Sequence, residues 1–101
     1  MKIYLACALG MSTSILVNKM KDEAKAQGKN YEIKAINQSI IEDSIDQFDV
    51  LLLGPQIGHT RRKIEKIVNG RKPVGVINPM DYGRGNGAAV LKQAEDLLNE
   101  F

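Results

Sequence analysis

The sequence predicts an α/β fold, an open four-stranded parallel sheet with helices on both faces, and three observations carry that reading. Four short apolar segments of strand character alternate with segments of helical period. The breakers Gly28, Gly54-Pro55, Gly70 and Pro73 fall between them. Phe48 to Leu53 holds an apolar run without polar alternation, as a strand covered on both faces requires. Parallel neighbours need crossover helices, those crossovers are right-handed, and functional loops then gather at the carboxyl ends of the strands.

Each element follows in chain order. Lys2 to Ala6 reads as the first strand, and Met11 to Gln27 as a helix with Leu16, Met20 and Ala24 on one face, stopped by Gly28. Tyr31 to Ile36 alternates apolar and polar and gives the second strand. Ser39, with Glu42 three residues on, predicts a capped acidic helix through Ile45. Phe48 to Leu53 is the third and central strand, Ile57 to Val68 a basic helix with Ile57, Ile64 and Val68 on its apolar side, and Val74 to Ile77 the fourth strand. Asn78 to Gly87 reads as a glycine-rich loop before a closing helix with Leu91, Ala94, Leu98 and Phe101 on one stripe.

A chain of 101 residues, 44% hydrophobic and 26% charged, fits one domain over residues 1–101 and leaves no room for a separate substrate domain. Its net charge of +2, from 14 basic and 12 acidic residues, is too balanced to call for nucleic acid or an anionic membrane. One cysteine excludes an internal disulfide, and with His59 the sole histidine there is no zinc-spaced set; neither a metal nor a cofactor is expected. Tyr4-Leu5-Ala6-Cys7 is reminiscent of a lipoprotein cleavage site. Only three residues separate Lys2 from Ala6, however, where a signal needs an apolar region of roughly 7 to 15. The apolar run Val50 to Leu53 is far too short to cross a bilayer, and a cytoplasmic protein is expected.

The chemistry concentrates in CALGMSTS, Cys7 to Ser14. Cys7 stands where the first strand ends, and Gly10 permits a backbone whose successive amides turn inward around a small anion. The positive end of the following helix favours a thiolate or a phosphoryl group at Cys7 and can bring the thiol below its free pKa of about 8.5. Ser12, Thr13 and Ser14 can cap the helix or donate to phosphoryl oxygens. The plain alternative is a small buried cysteine with ordinary capping hydroxyls, and chemistry alone weighs the two evenly. Two catalytic classes are disfavoured. The low-molecular-weight tyrosine phosphatase pattern clamps phosphate with an arginine six positions after its cysteine, where this chain has Thr13. A thioredoxin-like role lacks a resolving cysteine.

With that loop, the strand pattern and FDVLLLGPQI in view, the chain resembles the enzyme IIB component of the lactose/cellobiose family of the bacterial sugar phosphotransferase system. CALGMSTSILVNKM is similar to the family's phosphorylation loop and first helix, DVLLLGPQI to its third strand and turn, and KPVGVINPMDYGRGNGAAVLKQA to its closing segment. The resemblance implies a flavodoxin-like three-layer α/β/α arrangement with strand order 2-1-3-4. It implies that Cys7 carries phosphate, with Ala8, Leu9, Gly10, Met11, Ser12, Thr13 and Ser14 as the phosphate-binding loop. It also implies the partners: a phosphohistidine enzyme IIA as donor, and a membrane enzyme IIC presenting a β-linked disaccharide of cellobiose, chitobiose or lactose type, with this chain at the inner face of the membrane. The missing arginine accords with a relay that must hold a phosphoryl group without passing it to water.

The remaining candidates are weighed on their residues. Gly54, Pro55 and Gln56 follow the strand expected beside the first and border the Cys7 loop, either as a rim that meets phosphate or partner or as an ordinary turn. Tyr82 is a candidate for the active edge, for partner docking or for packing. His59 reads as a surface or capping residue, since the family's phosphohistidine belongs to the donor. Arg61, Arg62, Lys63, Lys66, Arg71 and Lys72 form a basic patch that reads first as a solvated helix face and not as a nucleic-acid site, there being no interleaved aromatics. Against the relay stand a noncovalent flavodoxin-like anion or nucleotide binder, in which serine would replace Cys7 with little loss, and a regulatory interaction module.

Overall fold

The structure, a computed structural model, describes residues 1–7 and 10–101, with the backbone alone for residues 10–12. Strands β1 (Lys2–Cys7), β2 (Glu32–Asn37), β3 (Val50–Leu53) and β4 (Val74–Val76) form one sheet in the order β2-β1-β3-β4, and every pairing is parallel. Helices α1 (Gly10–Ala26), α2 (Ile41–Ser44), α3 (Arg61–Val68), α4 (Pro79–Arg84) and α5 (Gly87–Glu100) make the connections and the close.

The alternation of β1 and β3 divides the interior in two. Ile3, Leu5, Val50 and Leu52 pack with Leu16, Val17, Met20 and Ala24 of α1 and Val90, Leu91 and Ala94 of α5. Tyr4, Ala6, Leu51 and Leu53 pack on the opposite face with Ile41 of α2, Phe48, and Ile64 and Val68 of α3. Both sides of β3 are therefore apolar, and all four of its residues are buried, as its unbroken run predicts. Edge strand β2 keeps the alternation as far as Ala35, with Ile33 buried and Ala35 partly buried on the α1–α5 side between exposed Glu32 and Lys34. Ile36 breaks it by packing on the opposite face, and Lys34 lies 5.8 Å over the Tyr4 ring.

Several boundaries move, each for a local reason. Ser39 is not a helix cap: Asn37 Oδ1 accepts the Ser39 amide at 2.9 Å and starts a single 3-10 turn, Gln38–Ile40, ahead of a short α2. The basic helix begins only at Arg61, since Pro55–Thr60 is 3-10 structure with a non-helical kink at Ile57. The third strand is shorter than expected, although Phe48 is fully buried beside Tyr4 at a centroid distance of 5.7 Å. Asn78 to Gly87 is not a loop throughout. Asn78 Oδ1 accepts the Met80 and Asp81 amides at 2.8 and 3.4 Å, Pro79 opens α4, and Gly85 ends it at φ 61°. In α5 the stripe runs through Val90, Leu91 and Ala94 with Leu97 at its margin, while Phe101 is 63% exposed.

Two contacts set the helices against the sheet. Gly87 lies against the α1 backbone so closely that a Cβ there would come within 2.5 Å of the Lys19 carbonyl carbon. That approach brings the start of α5 onto the middle of α1. At the amino end of the sheet, Glu95 Oε2 accepts from both Lys29 Nζ and Tyr31 OH, tying α5 to the start of β2. Lys29 and then Tyr31 hold the Glu95 carboxyl below its ordinary value of 4.5, and Glu95 in turn raises Lys29 and Tyr31 above 10.5 and 10.0. No helix among the described residues is long and apolar enough to cross a membrane.

The signs of these shifts fix a pH dependence. A depressed carboxyl stabilises the fold above its unfolded value and loses that contribution as pH falls through the folded one; the raised Lys29 and Tyr31 lose theirs only as pH rises through their folded values. Glu95→Gln should therefore lower stability to urea at neutral pH, and its deficit should shrink both well below pH 4.5 and in strong alkali. Unfolding midpoints of the two proteins across pH check this.

Candidate functional site

The site is built where β1 stops. Cys7 ends β1 in register with Asn37 at the end of β2, and the Gly54 amide donates to the Ala6 carbonyl at 2.9 Å, extending the β1-β3 ladder past Leu53. Gly54 thus comes to lie beside Cys7. This is the carboxyl edge of the parallel sheet, where crossovers turn away and leave room for a ligand.

Gly54 sits at φ −58° and ψ 148°, so conformational freedom is not what requires glycine here. Space is. A Cβ at position 54 would stand 2.9 Å from Gln56 Oε1 and 3.4 Å from Cys7 Sγ. Into that cleared space Cys7 donates its thiol hydrogen to Gln56 Oε1 at 3.8 Å, a sulfur-length contact that closes the site from the β3 side. Cys7 is 3% exposed, whereas Gln56 is exposed.

On the other side stands α1. It begins at Gly10, so Gly10, Met11, Ser12, Thr13 and Ser14 belong to the helix and not to an open loop. The amides of a first helical turn have no acceptor within the helix and carry the positive end of its dipole. Ala8 and Leu9 lie outside the described residues, as do the side chains of Gly10, Met11 and Ser12. Thr13 is 1% exposed, and its Oγ1 shares a hydrogen bond of 3.1 Å with the hydroxyl of Tyr82 from α4. Tyr82 also packs against the core that α1 and α5 share. Ser14 is exposed.

The structure therefore brings Cys7, Gly54, Gln56, Thr13 and Tyr82 to one edge. Pro55 opens the 3-10 stretch that carries Gln56. His59 is exposed in that same stretch, and Thr60 turns back to bond Ile57 O at 2.6 Å. In the basic patch Arg61 is engaged with Glu65 and Arg71 with Asp46, both at the surface, which makes it a solvated face with ordinary ion pairs. A concavity of about 1100 Å³ lined by Lys2, Lys21, Lys25, Lys29 and Lys34 opens at the amino end of the sheet, away from Cys7. Among the described residues no group of three or more His, Cys, Asp or Glu is placed to hold a metal ion.

A sulfur at the carboxyl edge of a parallel α/β sheet, three positions before a helix begins, stands where such folds leave room for a ligand and where a helix start favours negative charge. Comparison with known proteins gives the class its family. The family described as "PTS system, Lactose/Cellobiose specific IIB subunit" matches residues 2–93, and the chain belongs to it. It is 43% identical to the galactose-specific EIIB component of Lactococcus lactis subsp. cremoris, with 96% of this chain and 95% of that protein covered. The cellobiose-specific EIIB component of Lactococcus lactis subsp. lactis is equally similar, at 43% over the same shares. The solution structure of the cellobiose-specific phosphotransferase IIB component from Borrelia burgdorferi superposes with a TM-score of 0.83 at 39% identity, covering 99% of this chain and 93% of that one.

The Thr13-Tyr82 bond joins residues 69 positions apart and ties α4 to the first turns of α1. Tyr82→Phe and Thr13→Val should each cost about 1 kcal/mol, and the double variant little more than either, since both remove the same part-buried bond. Urea unfolding of the three variants and the parent measures that coupling.

Proposed function

We propose that this IIB subunit is a phosphocysteine relay in sugar uptake, with Cys7 as the residue that carries the phosphoryl group. The observation supporting it is the seat of the chain's sole thiol: at the end of β1, in contact with Gln56, three positions before the first residue of α1. In this reading a histidine-phosphorylated enzyme IIA docks on the carboxyl edge. The Cys7 sulfur attacks phosphorus in line, an S–P bond forms, and the P–N electron pair returns to the donor imidazole while the thiol proton leaves to solvent. Amides of residues 8–14 receive the peripheral oxygens, and catalysis is mainly positioning and electrostatics.

In the second transfer a sugar hydroxyl, presented by membrane enzyme IIC at the cytoplasmic face, attacks the phosphorus and the Cys7 thiolate departs. The acceptor is a sugar of the lactose/cellobiose class. Two relatives of equal identity bear the names of different sugars, so selection within that class is assigned to enzyme IIC. Thr13, in the place of a phosphatase arginine, is spent on Tyr82 and brings no bidentate cation to the phosphoryl group. That accords with storage in preference to hydrolysis.

The test is an intact-mass measurement after incubation with phosphoenolpyruvate, the general phosphorelay proteins and a cognate enzyme IIA. One added phosphoryl group is expected on the parent and none on Cys7→Ser; a folded parent that stays unmodified beside phosphorylated enzyme IIA overturns the relay in favour of a noncovalent anion-binding module. His59→Gln should acquire phosphate at a rate within about twofold of the parent, because an exposed imidazole outside the Cys7 contacts has no proton to manage here. Quenched-flow transfer rates compare the two.

A further inference from the structure

Gln56 does more than border the site. With Cys7 as a thiol, the sulfur is the donor and the carboxamide oxygen the acceptor, at 3.8 Å. Neither the thiolate nor phosphocysteine can keep that arrangement. The thiolate has lost the only proton it had to give, and the phosphoryl oxygens of phosphocysteine are acceptors; against either, Oε1 would present one electron-rich atom to another. The same side chain also carries two N–H donors on Nε2, and a half-turn about its last torsion exchanges oxygen for nitrogen at almost no change in shape.

The surroundings permit that turn. Gln56 is exposed, so the amide end is not locked in a core, and Gly54 leaves vacant the volume that a Cβ would fill at 2.9 Å from Oε1 and 3.4 Å from Sγ. Gln56 also stands near the start of a 3-10 stretch with a kink at Ile57, in a turn closed by the Ile57 amide on Gly54 O at 3.0 Å and tied to β1 by the Gly54 amide on Ala6 O at 2.9 Å. Its backbone is fixed while its amide end has room.

We propose that Gln56 is a catalytic residue of the relay whose carboxamide reverses with the charge on Cys7: Oε1 accepts from the thiol, and Nε2 donates to the thiolate and then to the phosphoryl group. This assignment rests on Cys7 being the phosphoryl carrier. The reversal has two consequences. It stabilises the nucleophile at the moment the proton has gone, and it hands an exposed residue on the docking face a different polarity in the charged and uncharged protein. A partner that delivers phosphate meets a Gln56 turned one way, and a partner that removes it meets the other.

Gln56→Glu tests this, because it keeps length and shape, keeps an acceptor for the thiol, and removes the donor. The thiol of the otherwise cysteine-free chain is titrated by the pH dependence of its alkylation rate, and phosphoryl transfer from enzyme IIA is followed by intact mass. Thiolate formation in Gln56→Glu is expected to move to higher pH, and the transfer rate to fall by about tenfold or more, since a fixed negative charge replaces a donor within contact range. Gln56→Met, which neither donates nor repels, should fall between the parent and Gln56→Glu in both measurements. A thermal midpoint for each variant shows that it is folded.

A Gln56→Glu protein whose thiol titrates with the parent overturns the proposal, even if transfer slows, because a residue that only docks enzyme IIA would leave the thiol alone. So does a variant that transfers within about twofold of the parent. Should the parent itself accept no phosphoryl group, the relay fails while the titration still decides whether Gln56 answers to the charge on Cys7.

Discussion

The parallel pairing of β1 between β2 and β3 is the constraint on which everything else rests. Pairing fixes levels: Cys7 stands opposite Asn37, Ala6 opposite Leu53, and the next bond of the ladder, Gly54 amide to Ala6 carbonyl, carries Gly54 to the side of Cys7. A slip of one residue would exchange the faces of Ile3 and Tyr4, Leu5 and Ala6, and drive each set into the wrong core. Register is therefore held by burial on both faces, and the site inherits its accuracy from two hydrophobic interiors that contain no catalytic group. The same arithmetic explains why a sulfur with so little exposure is nonetheless at an edge: it ends a strand whose every earlier residue but Lys2 is buried.

Much of this architecture is legible in the chain because its signals are local. The unbroken apolar run of β3, the alternation that opens β2, Gly28 after α1 and Asn69-Gly70 after α3 each report a backbone state within a few residues. Where the structure departs from expectation, a local signal for the observed element is present beside a stronger one for another. Asn78-Pro79 with Gly85 is a capped, proline-opened and glycine-closed helix, yet the density of glycine between Asn78 and Gly87 argued for a loop. Asn37 lay just ahead of Ser39, and the amide side chain took the capping role assigned to the hydroxyl. Phe101 continues the spacing of Leu91 and Ala94, but α5 ends at Glu100 and the ring beyond it is exposed.

The site is legible only in part, for a different reason. Cys7 and the hydroxyls after it announce themselves by residue type and spacing. Their partners do not. Gln56 meets the sulfur across 49 residues of chain and Tyr82 meets Thr13 across 69, and no period or cap encodes either encounter. Strand order is what links them: once β3 is known to lie beside β1, the residues after Leu53 must face those after Cys7. Thr13 illustrates the limit best. As a sequence position it is one of three hydroxyls beside a possible anion, while in the fold it is a buried post on which α4 leans.

The cleared space over Gly54 also has a meaning for how such a chain can vary. Alanine at position 54 collides first with the side chain at position 56, at 2.9 Å, and only then approaches the sulfur at 3.4 Å. The atom met first is the far end of an exposed side chain and can move aside, while the sulfur is met only at ordinary contact distance, so the consequence of a methyl at 54 is to displace the Gln56 amide from Cys7. A change at one position is thereby felt at the other. The sulfur they share is what joins them.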